Sequence, residues 1–106
     1  MDRPMFDIGY VRKELDRIGQ KLPRRTEVLL IGGANMMHRG LKNATKDIDV
    51  VTLSRADIGL LVQTLKGMGY DEIKELPGEY LTIGASTIMR NKDIFQCDIF
   101  YLQVCN

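Results

Sequence analysis

The sequence predicts a single α/β domain, one β-sheet layered with helices. Three observations carry that expectation. Amphipathic segments with helical spacing alternate with short apolar runs, Gly or Pro bounds those runs, and neither a linker-like tract nor an internal repeat divides the 106 residues. A chain of this length buries roughly 60 to 68% of the surface it exposes when unfolded, so one core can hold it without a disulfide staple.

Composition narrows the class. The 44% hydrophobic and 27% charged content with a net charge of +1 excludes disordered, membrane-embedded and disulfide-rich chains. Near-neutral charge provides no broad basic face for nucleic acid, and Lys21, Arg24 and Arg25 read as a solvated turn. Cys97 and Cys105 form no CxxC pair and have no nearby His, so neither a redox motif nor a zinc site is expected, only reduced thiols. The start MDRPMFDIGY lacks the apolar core of a signal peptide, and no segment approaches the roughly 18 apolar residues of a membrane span. A cytoplasmic protein with no membrane partner is the expectation.

The elements follow in chain order. Val11, Leu15, Ile18 and Leu22 recur at helical spacing opposite Arg12, Lys13, Asp16 and Arg17, which predicts an amphipathic helix from Asp7 to Lys21 ended by Pro23. Glu27 to Ile31 is a short apolar run closed by Gly32-Gly33 and reads as a buried, central strand. Ala34, Met37 and Leu41 predict a short helix broken by Gly40 and Asn43. Asp47 to Leu53, rich in β-branched residues, predicts the next strand. Ser54 and Asp57 have capping-box spacing ahead of a helix that places Ile58, Leu61, Leu65 and Met68 on one face and stops at Gly67 and Gly69. Pro77-Gly78 marks a turn, and Leu81, Ile83 and Ala85 alternate as in a half-exposed strand. Arg90 to Asp93 reads as a hairpin turn into a last strand, Ile94 to Val104, with Gln96, Asp98 and Phe100 on one face and Cys97, Ile99 and Tyr101 on the other.

The chemistry lies in the acids. Asp47 and Asp49, two apart on a strand, project from one face while Ile48 and Val50 take the other. Carboxylates about 5 Å apart repel by roughly 3 kcal/mol at an effective dielectric of 20, a cost that a divalent cation relieves. Asp98 is the expected third member, because an unpaired charge in the apolar run Cys97 to Phe100 is otherwise expensive, whereas Asp93 sits in a solvated turn. An oxygen-only donor set suits Mg²⁺, with Mn²⁺ as the alternative, and Mg²⁺ prefers a few carboxylates plus substrate phosphates. Two such ions, bridged by Asp47 and Asp49, serve in-line displacement at phosphorus, with Asp98 on the ion that activates the attacking hydroxyl. Gly32 and Gly33 permit a close backbone approach to a phosphate, with the following helix N-terminus beside it. Arg39 and Lys46 are candidates for neutralising phosphate charge. His38 has no paired acid and reads as a surface residue, and the methionines read as core filling. GGANMMHRGLKN lacks the ending of a P-loop, and DIDVVT lacks the polar positions of an EF-hand.

Apolar strand, Gly32-Gly33, short helix, Thr45-Lys46-Asp47-Ile48-Asp49-Val50 and a distal Asp98-Ile99-Phe100 together resemble the DNA polymerase beta superfamily. Within it the run GGANMMHRGLKNATKDIDVV is most similar to small uncharacterised nucleotidyltransferase-like proteins and abortive-infection toxin relatives, over residues 27 to 53 and 86 to 101. The resemblance implies a mixed sheet with helices packed on one face in a minimal nucleotidyltransferase-like domain spanning residues 1–106. It implies Asp47, Asp49 and Asp98 as metal-holding catalytic acids, and Gly32 and Gly33 at the triphosphate. The implied activity is Mg²⁺-dependent transfer of a nucleoside monophosphate from a triphosphate to a hydroxyl on RNA, protein or a small molecule. The alternative is a catalytically inactive nucleotide- or protein-binding module, or a toxin component restrained by an antitoxin. The glycine pair lacks the Ser of many relatives, and little chain follows Asp98, so acceptor and nucleotide stay open. A chain that ends close to its last strand is expected to continue into further helices or to pair that strand with a partner, a second copy included.

Overall fold

Asp7 opens the first helix by accepting a hydrogen bond from the Tyr10 amide at 2.9 Å on its side chain, which satisfies one of the free N–H groups of the first turn. The helix, α1 (Ile8–Lys21), buries Val11, Glu14 and Ile18, the stripe its spacing predicts, and ends where Leu22 bonds back to the Ile18 carbonyl ahead of Pro23. A short strand, β1 (Phe6–Asp7), precedes it and pairs antiparallel with β3 (Ala44–Thr45). The computed structural model describes residues 3–32, 39–40, 43–74 and 87–102. The expected helix over Ala34 to Leu41, the Pro77-Gly78 turn and the strand over Leu81 to Ser86 lie outside them, apart from the Arg39-Gly40 turn.

The main sheet contains β2 (Leu29–Ile31), β4 (Asp47–Thr52), β5 (Asp71–Glu72), β6 (Thr87–Arg90) and β7 (Gln96–Tyr101), in the order β2-β4-β7-β6-β5. All neighbours are antiparallel except β4 and β7, so the sheet is mixed. Alternation along β4 sends Ile48, Val50 and Thr52 inward, and register aligns Cys97 and Ile99 of β7 and Met89 of β6 with them. Against that face pack Val11 and Ile18 of α1 and Leu61 and Leu65 of the second helix, α2 (Arg55–Gly67), to form the core with Tyr70 and Phe95. The two described helices, α1 and α2, therefore lie on one face, as expected, and the acids occupy the other.

Helix α2 ends in a Schellman arrangement. Gly69, at φ +96°, donates to the Lys66 carbonyl and Tyr70 to that of Leu65, so the glycine supplies the left-handed residue that turns the chain into β5. Its start differs from the expected capping box. The Ser54 side chain makes no capping hydrogen bond, and Asp57 instead accepts from Arg24 at 2.5 Å, so the loop after α1 supplies the partner that local spacing assigned to Ser54. Arg24, read as part of a solvated turn, thereby ties α1 to α2.

Three further expectations are corrected. The run from Glu27 to Ile31 is neither central nor buried: β2 is the outermost strand beside β4, and Leu29 and Ile31 are exposed, because only alternate residues face the helices. The last strand begins at Gln96 rather than Ile94, and a strand over Thr87 to Arg90 precedes the turn. Asn91 organises that turn by accepting the Asp93 and Phe95 amides, and Ile94 takes a left-handed φ of +67° so that Phe95 can enter the core. Asp93 is exposed yet accepts a hydrogen bond from the Tyr10 hydroxyl at 2.9 Å, while the Tyr10 ring sits with Phe6 and Phe95 in an aromatic cluster. Finally, β7 is flanked on both sides by β4 and β6, so it offers no edge to a partner; among the described strands the outer positions belong to β2 and β5.

With no side-chain cap to lose, Ser54→Ala is expected to change stability by less than about 0.5 kcal/mol, whereas Asp57→Ala, which leaves Arg24 without its acid, costs about 1 to 2 kcal/mol. Urea denaturation of the two variants measures the difference.

Candidate metal centre

Strand geometry brings the acids together in two steps. Period-two alternation places Asp47 and Asp49 on the face of β4 away from α1 and α2, and the parallel register sets Asp49 directly beside Asp98 on β7. One carboxylate oxygen from each of Asp47, Asp49 and Asp98 lies within 4.8 Å of the others. Asp47 and Asp49 are half-buried, and Asp98 is 3% exposed.

Burial dominates the electrostatics. It pushes the Asp98 carboxyl up to about 7; a hydrogen bond from Gln96 opposes the shift, and the charges of Asp47 and Asp49 add to it. Asp49 is likewise raised, first by burial and then by Asp47, against a hydrogen bond with Asp98 and the charge of Arg3. The neighbouring Cys97 thiol is pushed far up by burial and by the acids, which marks it as an inert core group.

Side chains around the acids complete the site. Gln96, fully buried, donates to the Asp98 carboxylate at 2.7 Å and accepts from Arg90. Arg3 pairs with Asp47 at 3.0 Å. Gly32 follows β2, which pairs with β4 so that Ile31 faces Asp49. Gly32 has φ +68°, and a Cβ there would stand 2.7 Å from an Asp49 carboxylate oxygen, so only glycine fits both the backbone and the space.

The expected site residues thus divide. Asp47, Asp49 and Asp98 converge, and Gly32 lies against them. Gly33 and His38 fall outside the described residues. Arg39 occupies an exposed turn with Gly40 (φ +76°), and Lys46 is half-buried in the bend between β3 and β4. Among the described residues it is Arg3, not Arg39 or Lys46, that pairs with an acid of the site. The sequence carries no signal for Arg3, which reaches Asp47 across 44 positions. Gln96 was placed on the Asp98 face by alternation, but its link to Arg90 depends on the β6–β7 register, in which those two residues are direct partners.

Comparison with known proteins bears on the fold alone. No family model and no curated protein matches the chain. Among solved structures it is similar to the conserved protein GrpB from Enterococcus faecalis, with a TM-score of 0.55 and 18% identity over 92% of this chain. The chain spans 61% of that protein's length. The likeness fits the mixed α+β fold described above. Among the described residues no helix is long and apolar enough to cross a membrane.

Two outcomes test the site without any ligand. The Asp98 pKa rises from about 3.9 in the unfolded chain to about 7 in the fold. The native state therefore binds more protons between these values, and stability falls as pH rises through that window. Asp98→Asn, which mimics the protonated carboxyl, is expected to flatten this slope and raise the melting temperature at pH 7.5, read by thermal unfolding at a series of pH values. Gly32→Ala forces a left-handed alanine against Asp49 and is expected to cost about 1 to 2 kcal/mol by urea denaturation.

Proposed function

We propose that this protein is a Mg²⁺-dependent nucleotidyltransferase that moves a nucleoside monophosphate from a triphosphate to a hydroxyl acceptor. The observation that carries the reading is the convergence of Asp47, Asp49 and Asp98 on the sheet face away from α1 and α2, with the Gly32 backbone beside them. The donor set fits a hard divalent cation, with Mn²⁺ able to replace Mg²⁺. All donors are carboxylate oxygens within 4.8 Å of one another, and a cation would relieve both the burial of charge that chiefly raises the Asp98 and Asp49 pKa values and the repulsion that adds to it. Asp47, Asp49 and Asp98 would hold the metal, which supplies charge neutralisation for a triphosphate and for the oxygen that attacks it.

The chain's own groups have distinct tasks. Asp49 and Asp98 are fixed by strand pairing, so their separation is set by the sheet and not by loops. Gly32, free of a side chain, keeps open the approach to Asp49 from the β2 side. Arg3 holds Asp47 through a charge-assisted hydrogen bond and, among the described residues, supplies the positive charge paired with an acid of the site. Lys46, next to Asp47 in the chain, and Arg39 are retained as candidate phosphate contacts. The acceptor remains RNA, a protein or a small molecule.

One observation favours a second reading, a nucleotide- or protein-binding module without turnover. Arg3 already neutralises Asp47, as a fold that keeps its acids without a metal would require.

Label transfer separates the two. Protein incubated with Mg²⁺, each labelled triphosphate, and RNA or cell extract is expected to transfer label, and Asp47→Asn/Asp49→Asn to abolish it. Loss of mutant sensitivity, or no transfer at all, supports the binding module. Saturation of wild type with Mg²⁺ and the preferred triphosphate at 100 times the dissociation constant is expected to add about 2.7 kcal/mol of stability.

A further inference from the structure

Gln96 is a polar side chain at a position with no exposed surface, where an apolar residue would be the cheaper occupant. Both ends of its amide are nevertheless engaged. Its Nε2 donates to Asp98 Oδ1 at 2.7 Å, and its Oε1 accepts from Arg90 Nε at 3.2 Å and Nη2 at 2.6 Å. A guanidinium offers only donors, so the amide oxygen must face Arg90 and the NH₂ must face Asp98; the reverse orientation sets donor against donor. The line Arg90–Gln96–Asp98 follows the sheet itself: Arg90 and Gln96 are cross-strand partners, and Gln96 and Asp98 are neighbours on one face of β7.

An arginine placed directly on Asp98 would occupy the carboxylate as a competing cation. The interposed amide is neutral and engages a single carboxylate oxygen. We propose that Gln96, oriented by Arg90, is the positioning residue for Asp98: it fixes Oδ1 so that the other carboxylate oxygen is presented to a divalent cation held with Asp47 and Asp49. This role rests on the metal-site reading above. It follows the general behaviour of metal-ligating carboxylates, whose hydrogen-bond partners hold the ligand in its binding orientation.

Mn²⁺ alone is the probe, titrated calorimetrically into wild type, Gln96→Met and Arg90→Met, with the melting temperature of each metal-free protein as the measure of folding. Gln96→Met keeps the length of the side chain and removes the donor, and it is expected to weaken Mn²⁺ binding by about 10- to 100-fold. Arg90→Met leaves the donor present but unpins the amide, and a smaller loss is expected. Gln96→Met that lowers the metal-free melting temperature yet binds Mn²⁺ as wild type does would show a merely structural role and overturn the assignment. If Gln96→Met shows no cooperative unfolding, Arg90→Met decides: wild-type Mn²⁺ affinity in that folded variant overturns the assignment, and weakened affinity supports it. Wild type that binds no Mn²⁺ overturns the metal-site reading and this role together, an outcome distinct from failure of the positioning role alone.

Discussion

Parallel pairing of β4 with β7, in a register that sets Asp49 beside Asp98, is the constraint on which the rest depends. The same pairing aligns Ile48 with Cys97 and Val50 with Ile99 on the opposite face, so one register serves the core and the acids at once. A slip by one residue would turn the acids of one strand into the core and its aliphatic residues toward the other strand's acids. Burial of Ile48, Val50, Cys97 and Ile99 beneath α1 and α2 is thus what holds three repelling carboxylates together. Apolar burial is worth about 1.5 to 3 kcal/mol for each large side chain. Repulsion between a pair of carboxylates at this spacing is about 3 kcal/mol at an effective dielectric of 20.

Because the core outweighs that repulsion, the fold tolerates an electrostatic tension, and the surrounding residues share it. Burial first, and then the neighbouring charges, raise the pKa values of Asp98 and Asp49. Arg3 offsets part of the charge at Asp47, and the Gln96 amide stabilises one oxygen of Asp98. Gly32 gives Asp49 room on its other side. These three responses differ in kind: an ion pair, a hydrogen bond from a neutral amide and a missing side chain.

Much of this was legible in the sequence. The helical stripe of Val11 and Ile18, the strand over Asp47 to Thr52, the second helix ending at Gly67 and the two faces of the last strand are local patterns, set by periodicity and glycine placement. Asp98 was recognisable because a lone acid in an apolar run demands a reason. Where reading failed, local rules competed with distant partners. Ser54 and Asp57 have capping spacing, but Arg24 offered Asp57 a charged hydrogen bond that a serine hydroxyl does not match. The apolar run before Gly32 promised a central strand, yet strand order depends on pairing partners, and the place beside β4 on its inner side went to β7.

The sequence by itself determined α1, α2, β4 and the two faces of β7, and with them which acids share a face, because these depend on residues a few positions apart. Tertiary structure alone decided that Asp98 meets Asp49, that Arg3 reaches Asp47 and that Arg90 orients Gln96. Each of those contacts depends on which strands or segments become neighbours and in what register. That choice is settled by the summed burial of a whole sheet face, which no single stretch of chain encodes.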